Sequence, residues 1–482
     1  MIINGTILWL ALPFFVGFTV YLLPGTARLL TLGVTLVSLA YAMALFGQPA
    51  PLDLHLLDSF GVTLLADDLS AYFILTNALV TAAVILYCWD TSKTAFFYTQ
   101  AIILHGSVNA VFVCADLISL YVALEVIGIA AFLLIAYPRQ DRSLWVALRY
   151  LFVSNTAMLF YLVGAALVYQ THQSFAFTGL RGAPTEAVVL IVLGLLVKGG
   201  VFVSGLWLPL THAEAESPVS ALLSGVVVKA GVFPLVRCAL LMEELDPLLR
   251  VFGVATALLG VVYALVETDA KRVLALSTVS QVGWVIAVPP AAGVYALAHG
   301  LVKAALFLTV GNLPSRDLTV LQQRPMATSL WLPLMAGSVA IAGCPLFLSF
   351  GAKAFTLEYA LPWQGIMLNV AAVGTALVYA KFLVLPHRRD ATSTAKLGLW
   401  TALALLLGSL LLANVVYLEA YTGPKVLKAL AVIGGGLLFH RLVVQRFRFT
   451  LPQVLEDFEH LIGGMSVMVV VLFLMVGSWL AI

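Results

Sequence analysis

Apolar stretches of roughly twenty residues recur from one end of the chain to the other. Each is long enough to cross about 30 Å of hydrocarbon as a helix. No other feature restricts the fold as much, because lipid offers no partner to a backbone N–H or C=O. Such segments are helical except where protein or a cavity surrounds them. The spans fall at 2–23, 29–47, 68–89, 96–115, 117–137, 146–170, 186–209, 216–241, 248–267, 273–288, 292–313, 330–357, 363–385, 397–418, 425–440 and 461–481. Composition agrees: 62% of the 482 residues are hydrophobic and 10% are charged, against about 25% charged in a soluble globular protein. The pattern is that of an all-α polytopic membrane protein. The stretch 2–23 has neither a basic start nor a small-residue cleavage site, so it reads as a retained helix rather than a signal peptide.

The basic residues orient these spans. With both termini outside, the inner loops and helix edges collect Arg28, Lys93, Arg139, Arg142, Arg149, Lys271, Arg272, Arg316, Arg324, Arg388, Arg389, Lys396, Arg441, Arg446 and Arg448. The outer side holds Arg181, Arg237, Arg250, Lys425 and Lys428. That asymmetry follows the positive-inside rule, and the loop 48–67 adds Asp53, Asp58 and Asp67 to the outside. An even count results, with sixteen spans favoured; fourteen follows if 425–440 and one neighbour do not cross. The longest polar connections are 48–67, 171–185 and 440–460. The last reads as a connector anchoring the final helix, with the pattern of a segment lying along the membrane surface.

Several function classes drop out. Cys88, Cys114, Cys238 and Cys344 are scattered singly, so no iron–sulfur or zinc ligand spacing occurs. Neither GxGxxG nor GxxxxGK[ST] is present, and a net charge of +2 without a basic tail gives nucleic acid no footprint. No cofactor and no metal is expected.

Five basic residues stay inside the membrane: Lys198, Lys229, Lys303, Lys353 and Lys381. Such residues are expensive to bury and mark functional paths or partners. Lys381 lies close to Pro386 at a helix end, where its chain can snorkel to the headgroups. The other four lie deeper. Glu125 is the one acid placed well inside a span, so charge balance makes it the first candidate partner for a lysine. A Glu–Lys pair titrates as a coupled unit and can take a proton from one side and pass it on. The plainer reading, a pair that only fixes helix packing, leaves the remaining buried bases unexplained. His299 and Lys303 stand four apart on one helix face. A lone buried histidine is more often a satisfied core residue, but one turn from a buried lysine it fits proton relay.

Helix-weakening residues accompany two of these lysines. KGGVFVSGLWLP holds Gly199, Gly200 and Pro209 after Lys198, and GCPLFLSFGAKAF holds Gly343, Pro345 and Gly351 before Lys353. Two long spans that each combine such residues with a midmembrane lysine match the broken helices of repeat-built transporters.

Together, VALEVIGIAAFLLIAY (122–137), LVKGGVFVSGLWLPLTHAEAESPVSALLSGVVVKAGVFPLVR (196–237), ETDAKRVLALSTVSQVGWVI (267–286), HGLVKAALFLTVGN (299–312) and GCPLFLSFGAKAF (343–355) resemble one family. It is that of the proton-conducting antiporter-like subunits of respiratory complex I. The resemblance is strongest to the D-type component of Mrp sodium/proton antiporters and to complex I subunits of the N, M and L types. It runs over roughly 96–385. It implies two five-helix units related by an inverted pseudo-twofold, 96–241 and 248–385, each with a discontinuous helix, after N-terminal helices at 1–95 and before C-terminal helices at 397–482.

By that resemblance Glu125, Lys198, Lys229, His299, Lys303 and Lys353 form a proton-transfer route, with Lys381, His212, Glu214 and Glu216 as accessory candidates. The chain departs from the family at PLTHAEAESPVSALLS, which lacks an aspartate at Leu210–Thr211; Glu214 and Glu216 offset it or merely solvate the turn. The expected function is proton translocation, with sodium coupling open, as a membrane subunit of a multisubunit complex. Partners would be other integral membrane subunits and lipids, in a prokaryotic plasma membrane or a thylakoid-type membrane. A NADH–quinone oxidoreductase-like activity would belong to the complex. The competing readings are a non-conducting assembly subunit and an independent secondary transporter.

Overall fold

A computed structural model describes residues 2–56, 61–389, 395–442 and 457–480. Four N-terminal helices come first: α1 (Ile2–Leu22), α2 (Ala27–Phe46), α3 (Asp68–Tyr87) and α4 (Ala95–Val111). Next are α5 (Leu117–Ile135), α6 (Asp141–His172), α7 (Thr185–Lys198), α8 (Leu208–Glu214), α9 (Ser217–Leu222) and α10 (Val228–Leu241). Then follow α11 (Leu245–Val266), α12 (Ala270–Ala287), α13 (Ala292–Val310), the short α14 (Leu318–Gln323), α15 (Thr328–Ala342), α16 (Leu348–Glu358) and α17 (Pro362–Leu383). The described chain ends with α18 (Leu397–Asn414), α19 (Gly423–Leu442) and α20 (Phe458–Leu480).

Aspartate side chains open several helices by accepting from first-turn N–H groups: Asp67 from Ser70, Asp116 from Ser119, Asp269 from Lys271 and Arg272, and Asp317 from Thr319. These caps satisfy donors that lipid could not.

Among the described residues, twelve helices are long and apolar enough to cross a membrane. Five of them join an α-helix to a 3₁₀ or π segment: Pro24–Phe46, Thr185–Glu214, Ser217–Leu241, Pro289–Val310 and Leu397–Ala420. The expected sixteen spans include four segments outside this group. The 17-residue α4 is short, α12 carries Lys271 and Arg272, α15 and α16 are each brief because a break divides them, and α19 has charged ends. The connector at 440–460 lies largely outside the described residues, as do Asp58, Arg446 and Arg448.

The described part of the loop 48–67 carries regular structure that its polarity does not suggest. It contains β1 (Leu52–His55) paired antiparallel with β2 (Thr63–Ala66), Leu52 facing Ala66. Its backbone docks on the α4–α5 connection through Leu65 N to Val113 O (2.7 Å) and Ala115 N to Thr63 O (2.8 Å). A two-residue parallel pair, β3 (Met326–Ala327) with β4 (His387–Arg388), closes the opposite loops.

Burial ranks the helices. The spans Ser217–Leu241 and Pro289–Val310 are enclosed by protein along their apolar stretches, whereas α1, α2 and α20 keep most of their surface outward. All 19 residues of α13 are buried. Protein surroundings on every side remove the amphipathic stripe that a surface helix would show. The two enclosed spans are the ones that carry Lys229, His299 and Lys303.

Candidate functional site

The first interruption falls where the glycines predict it. Helix α7 ends at Lys198, Gly200 takes φ +67° and Phe202 φ +54°, and a 3₁₀ turn over Phe202–Trp207 leads into α8. Pro209 does not break the helix; it sits in the first turn of α8, where a missing N–H costs nothing. Gly199 has a second role. It lies against Gly231 of α10 so closely that a Cβ on Gly231 would stand 2.6 Å from the Lys198 carbonyl carbon. The α7 break and α10 therefore cross backbone to backbone.

Lys198 is 3% exposed. Its Nζ donates to Ser154 Oγ on α6 at 2.5 Å and lies 3.2 Å from the Cβ position of Gly128 on α5. Glu125, one turn earlier on α5, is its charged neighbour through space. The hydrogen bond of Lys198 thus goes to a hydroxyl, and Glu125 Oε1 has no hydrogen-bond partner among the described residues.

A third irregularity was not legible in the sequence. Residues Leu223–Val227, between α9 and α10, form a π-turn, a feature that often marks functional sites. The loosened carbonyls receive Lys229: its Nζ donates to Gly225 O at 2.7 Å and to Ser224 O at 3.2 Å. Helix α13 crosses this turn at Gly300, whose Cβ position lies 3.0 Å from Gly225 O and 3.4 Å from Lys229 Nζ. His299 is the preceding residue, buried, with neither ring nitrogen hydrogen-bonded. One turn on, Lys303 Nζ donates to Leu274 O and Tyr379 Oη, both at 2.8 Å, and Tyr379 Oη meets Ser277 Oγ at 2.9 Å.

The second interruption separates α15 from α16. Gly343 ends α15 in the left-handed region with φ +98°, and Pro345 lies in the connecting turn. Gly351 does not belong to the break. It lies within α16, where a Cβ would stand 2.8 Å from Tyr417 Cβ, so its absence admits that side chain. Lys353 Nζ returns to the carbonyl end of α15, donating to Ile341 O at 2.9 Å and Ala342 O at 3.2 Å. Those carbonyls are the negative pole of the helix and suit a cation. A void of about 10 Å³, bordered by Gln281, Tyr295, His299, Ser349 and Lys353, joins α13 to α16. That is about the room one water needs.

Among the described residues no hydrogen bond or ion pair joins any two of Glu125, Lys198, Lys229, His299, Lys303 and Lys353. They fall on α5, α7, α10, α13 and α16, and each amine is held by a neutral oxygen.

The accessory candidates divide. His212 is buried in α8, stacked on Phe307 of α13 with ring centroids 4.7 Å apart, and its ring nitrogens have no partner. Glu214 and Glu216 are structural ties: Glu214 pairs with Arg142 at 2.8 Å and Glu216 with Lys93 at 2.6 Å. Lys381 turns toward the end of its neighbouring helix. It is buried and donates to Ala264 O (2.9 Å) and Glu267 O (2.8 Å) at the carbonyl end of α11. Outside the spans, burial opposes ionisation of Asp67, but Arg237 and Ser70 outweigh it and hold the carboxyl below its ordinary range. Glu267 is likewise held low against burial by Arg272 and by the Asp269 and Thr268 N–H groups.

Sequence reading missed Ser154 and Tyr379, which accept from Lys198 and Lys303, and Ser277, which bonds the Tyr379 hydroxyl. It also missed a polar cluster among α1–α4. There His105 Nε2 meets Ser38 Oγ at 2.8 Å, Trp9 Nε1 donates to Ser38 at 3.0 Å, and Asn77 bridges His105 O and Asn109 Oδ1 at 2.9 and 2.8 Å.

A polytopic helical membrane protein with interrupted helices and a file of buried bases is the class this fold and site define. Residues 114–378 match the family described as NADH:quinone oxidoreductase/Mrp antiporter, transmembrane, and the chain belongs to that family. It is 26% identical over 325 residues to the D component of the Na(+)/H(+) antiporter of Alkalihalophilus pseudofirmus, covering 61% of this chain and 66% of that protein. It is 29% identical over 317 residues to the NAD(P)H-quinone oxidoreductase chain 4 1 of Synechococcus elongatus, covering 60% of each. The match thus spans less than two thirds of either relative.

Two solved structures share the fold. One is a chain of the membrane-bound sulfane sulfur reductase, an archaeal respiratory membrane complex, with a TM-score of 0.77 at 21% identity over 91% of this chain and 98% of that one. The other is a chain of the Mrp complex from Dietzia sp., with 0.76 at 21% over 92% and 98%.

Proposed function

We propose that this chain translocates protons across the membrane as one integral subunit of a larger complex, along Glu125, Lys198, Lys229, His299, Lys303 and Lys353. One observation carries the reading: Lys229, His299 and Lys303 stand on the two spans that protein encloses most fully, and every amine named is held by a neutral oxygen rather than locked in an ion pair. A bonded salt bridge would fix the charge, whereas a hydroxyl or carbonyl can hold the amine while its proton passes on. The Glu125 carboxylate favours a proton on Lys198 when the two approach. Their separation frees that proton toward Lys229, then His299 and Lys303, and finally Lys353. Waters bridge the gaps, and the void between His299 and Lys353 has room for one.

The finer architecture belongs to the same proposal. Segments α4, α12, α15–α16 and α19 complete sixteen crossings, with both termini on the outer side. Helices α4–α10 and α11–α17 form two inverted five-helix units. Support comes from the recurrence of a glycine-capped break beside a buried lysine, once in each unit. Moving one charge against 100 mV requires about 2.3 kcal/mol, so uphill transfer needs a drive from partner subunits or an ion gradient. Sodium enters as a coupling ion through the name of the antiporter relative. The test is Lys198→Ala in the intact complex reconstituted into liposomes. Loss of proton translocation at normal assembly is the expected result. Unchanged translocation would overturn the proposal in favour of a non-conducting assembly subunit.

A further inference from the structure

Helix α19 leans on α17 at one end only. Of its residues, Gly436 and His440 alone are buried, and Gly436 seats against Ala376 closely enough that a Cβ would lie 2.7 Å away. Toward its N-terminus the helix stands off, leaving a cavity of about 400 Å³ between α15, α16, α17 and α19. That volume lies in the range of roughly 300–1,000 Å³ typical of ligand sites. Its walls are mostly apolar, with Phe350, Leu357, Ala372, Ala429 and Val432 among them, while Lys425, Lys428 and Glu358 also line it. Lys425 is paired with Glu358 at 3.2 Å. Lys428, exposed, has no acidic partner among the described residues. Apart from Lys353, whose amine is taken up by the α15 carbonyls, two lysines against one glutamate leave one positive charge at the mouth of an apolar cleft in a protein surrounded by lipid.

From this we infer that the cavity is a binding site for an anionic phospholipid. One acyl chain lies along Ala372, Ala429 and Val432, and the phosphate sits at Lys428. A purely apolar occupant would leave Lys428 unmatched, and a small anion would leave the apolar walls uncovered. Lys353 also borders the cavity, with its amine committed to the carbonyl end of α15. Each lysine near an anionic headgroup changes affinity roughly fivefold.

Native mass spectrometry of the purified complex, equilibrated with phosphatidylglycerol or phosphatidylcholine of matched chains, tests this site. Preferential retention of phosphatidylglycerol is expected, reduced roughly fivefold by Lys428→Gln and abolished by Ala429→Trp. Glu358→Gln frees Lys425 and is expected to raise retention roughly fivefold, a gain that misfolding cannot mimic. Equal retention of the two lipids, or indifference to both charge variants, would overturn the inference. So would crosslinking of Ala429→Cys to a neighbouring subunit with no lipid retained, which would assign the cleft to a partner helix.

Discussion

Ser154→Ala removes the one hydrogen-bond acceptor of the Lys198 amine and nothing else. The amine is buried and donates to that hydroxyl at 2.5 Å. A hydrogen bond to a charged group is worth about 1.5–3 kcal/mol, and the penalty is largest when a buried donor is left unpaired. That range corresponds to roughly a ten- to hundredfold change in the population of the amine at this position. The polar group remaining nearby is Glu125, whose Oε1 is unpartnered one turn from Gly128. Losing the hydroxyl therefore biases Lys198 toward the carboxylate and against onward release. Alanine fits the space, so α6 should pack as before. The assay is proton uptake into liposomes holding the intact complex, with subunit stoichiometry checked alongside. The expected result is normal assembly with translocation reduced about tenfold. Full-rate translocation would refute the idea that a neutral oxygen tunes this lysine.

Other perturbations read out different parts of the architecture. Tyr379→Phe takes one acceptor from Lys303 and the partner from Ser277; translocation should fall with little change in melting temperature. Gly231→Ala drives a Cβ into the Lys198–Gly199 backbone; overpacking of this kind costs about 1–3 kcal/mol and should lower the melting temperature of the detergent-solubilised complex. Asp67→Asn breaks the carboxylate–guanidinium pair with Arg237, whose side chain is 7% exposed against 23% for Asp67. Removing one partner of a buried pair costs about 3 kcal/mol or more at neutral pH. Because the native Asp67 pKa is depressed, the advantage of the wild type is complete above the unfolded carboxylate value near 4. It shrinks as pH falls through the native value, so melting curves of the two proteins should converge in acid.

The span pattern, the break after Lys198 and the deep lysines were readable because each rests on local chemistry: hydropathy length, glycine beside lysine, charge in an apolar run. What could not be read depends on how helices cross. Ser154 looks like any other serine until α6 and α7 are packed together. Nothing in SGVVVK announces a π-turn, which forms where α13 presses Gly300 onto Gly225. Gly351 resembled a break residue, yet it serves the approach of Tyr417. Arg237 and Lys271 were placed at interfaces by their position near helix ends. Both are buried, one paired with Asp67 and the other donating to Ala215 O at 2.5 Å, because loops and neighbouring helices cover those ends. The partner of Lys381 was equally unreadable: its amine donates to the carbonyl end of α11, a neighbour that only packing supplies.

Lys303 lies midway along the proposed route, fully buried on one of the two most enclosed spans, and donates to Leu274 O and Tyr379 Oη. Lys303→Met keeps its length and most of its volume while removing the titrating group. The decisive measurement is proton translocation by the reconstituted complex carrying this variant, with assembly confirmed. The proposed route predicts that translocation is abolished while the complex stays intact; an intact complex that still translocates at the wild-type rate would contradict it.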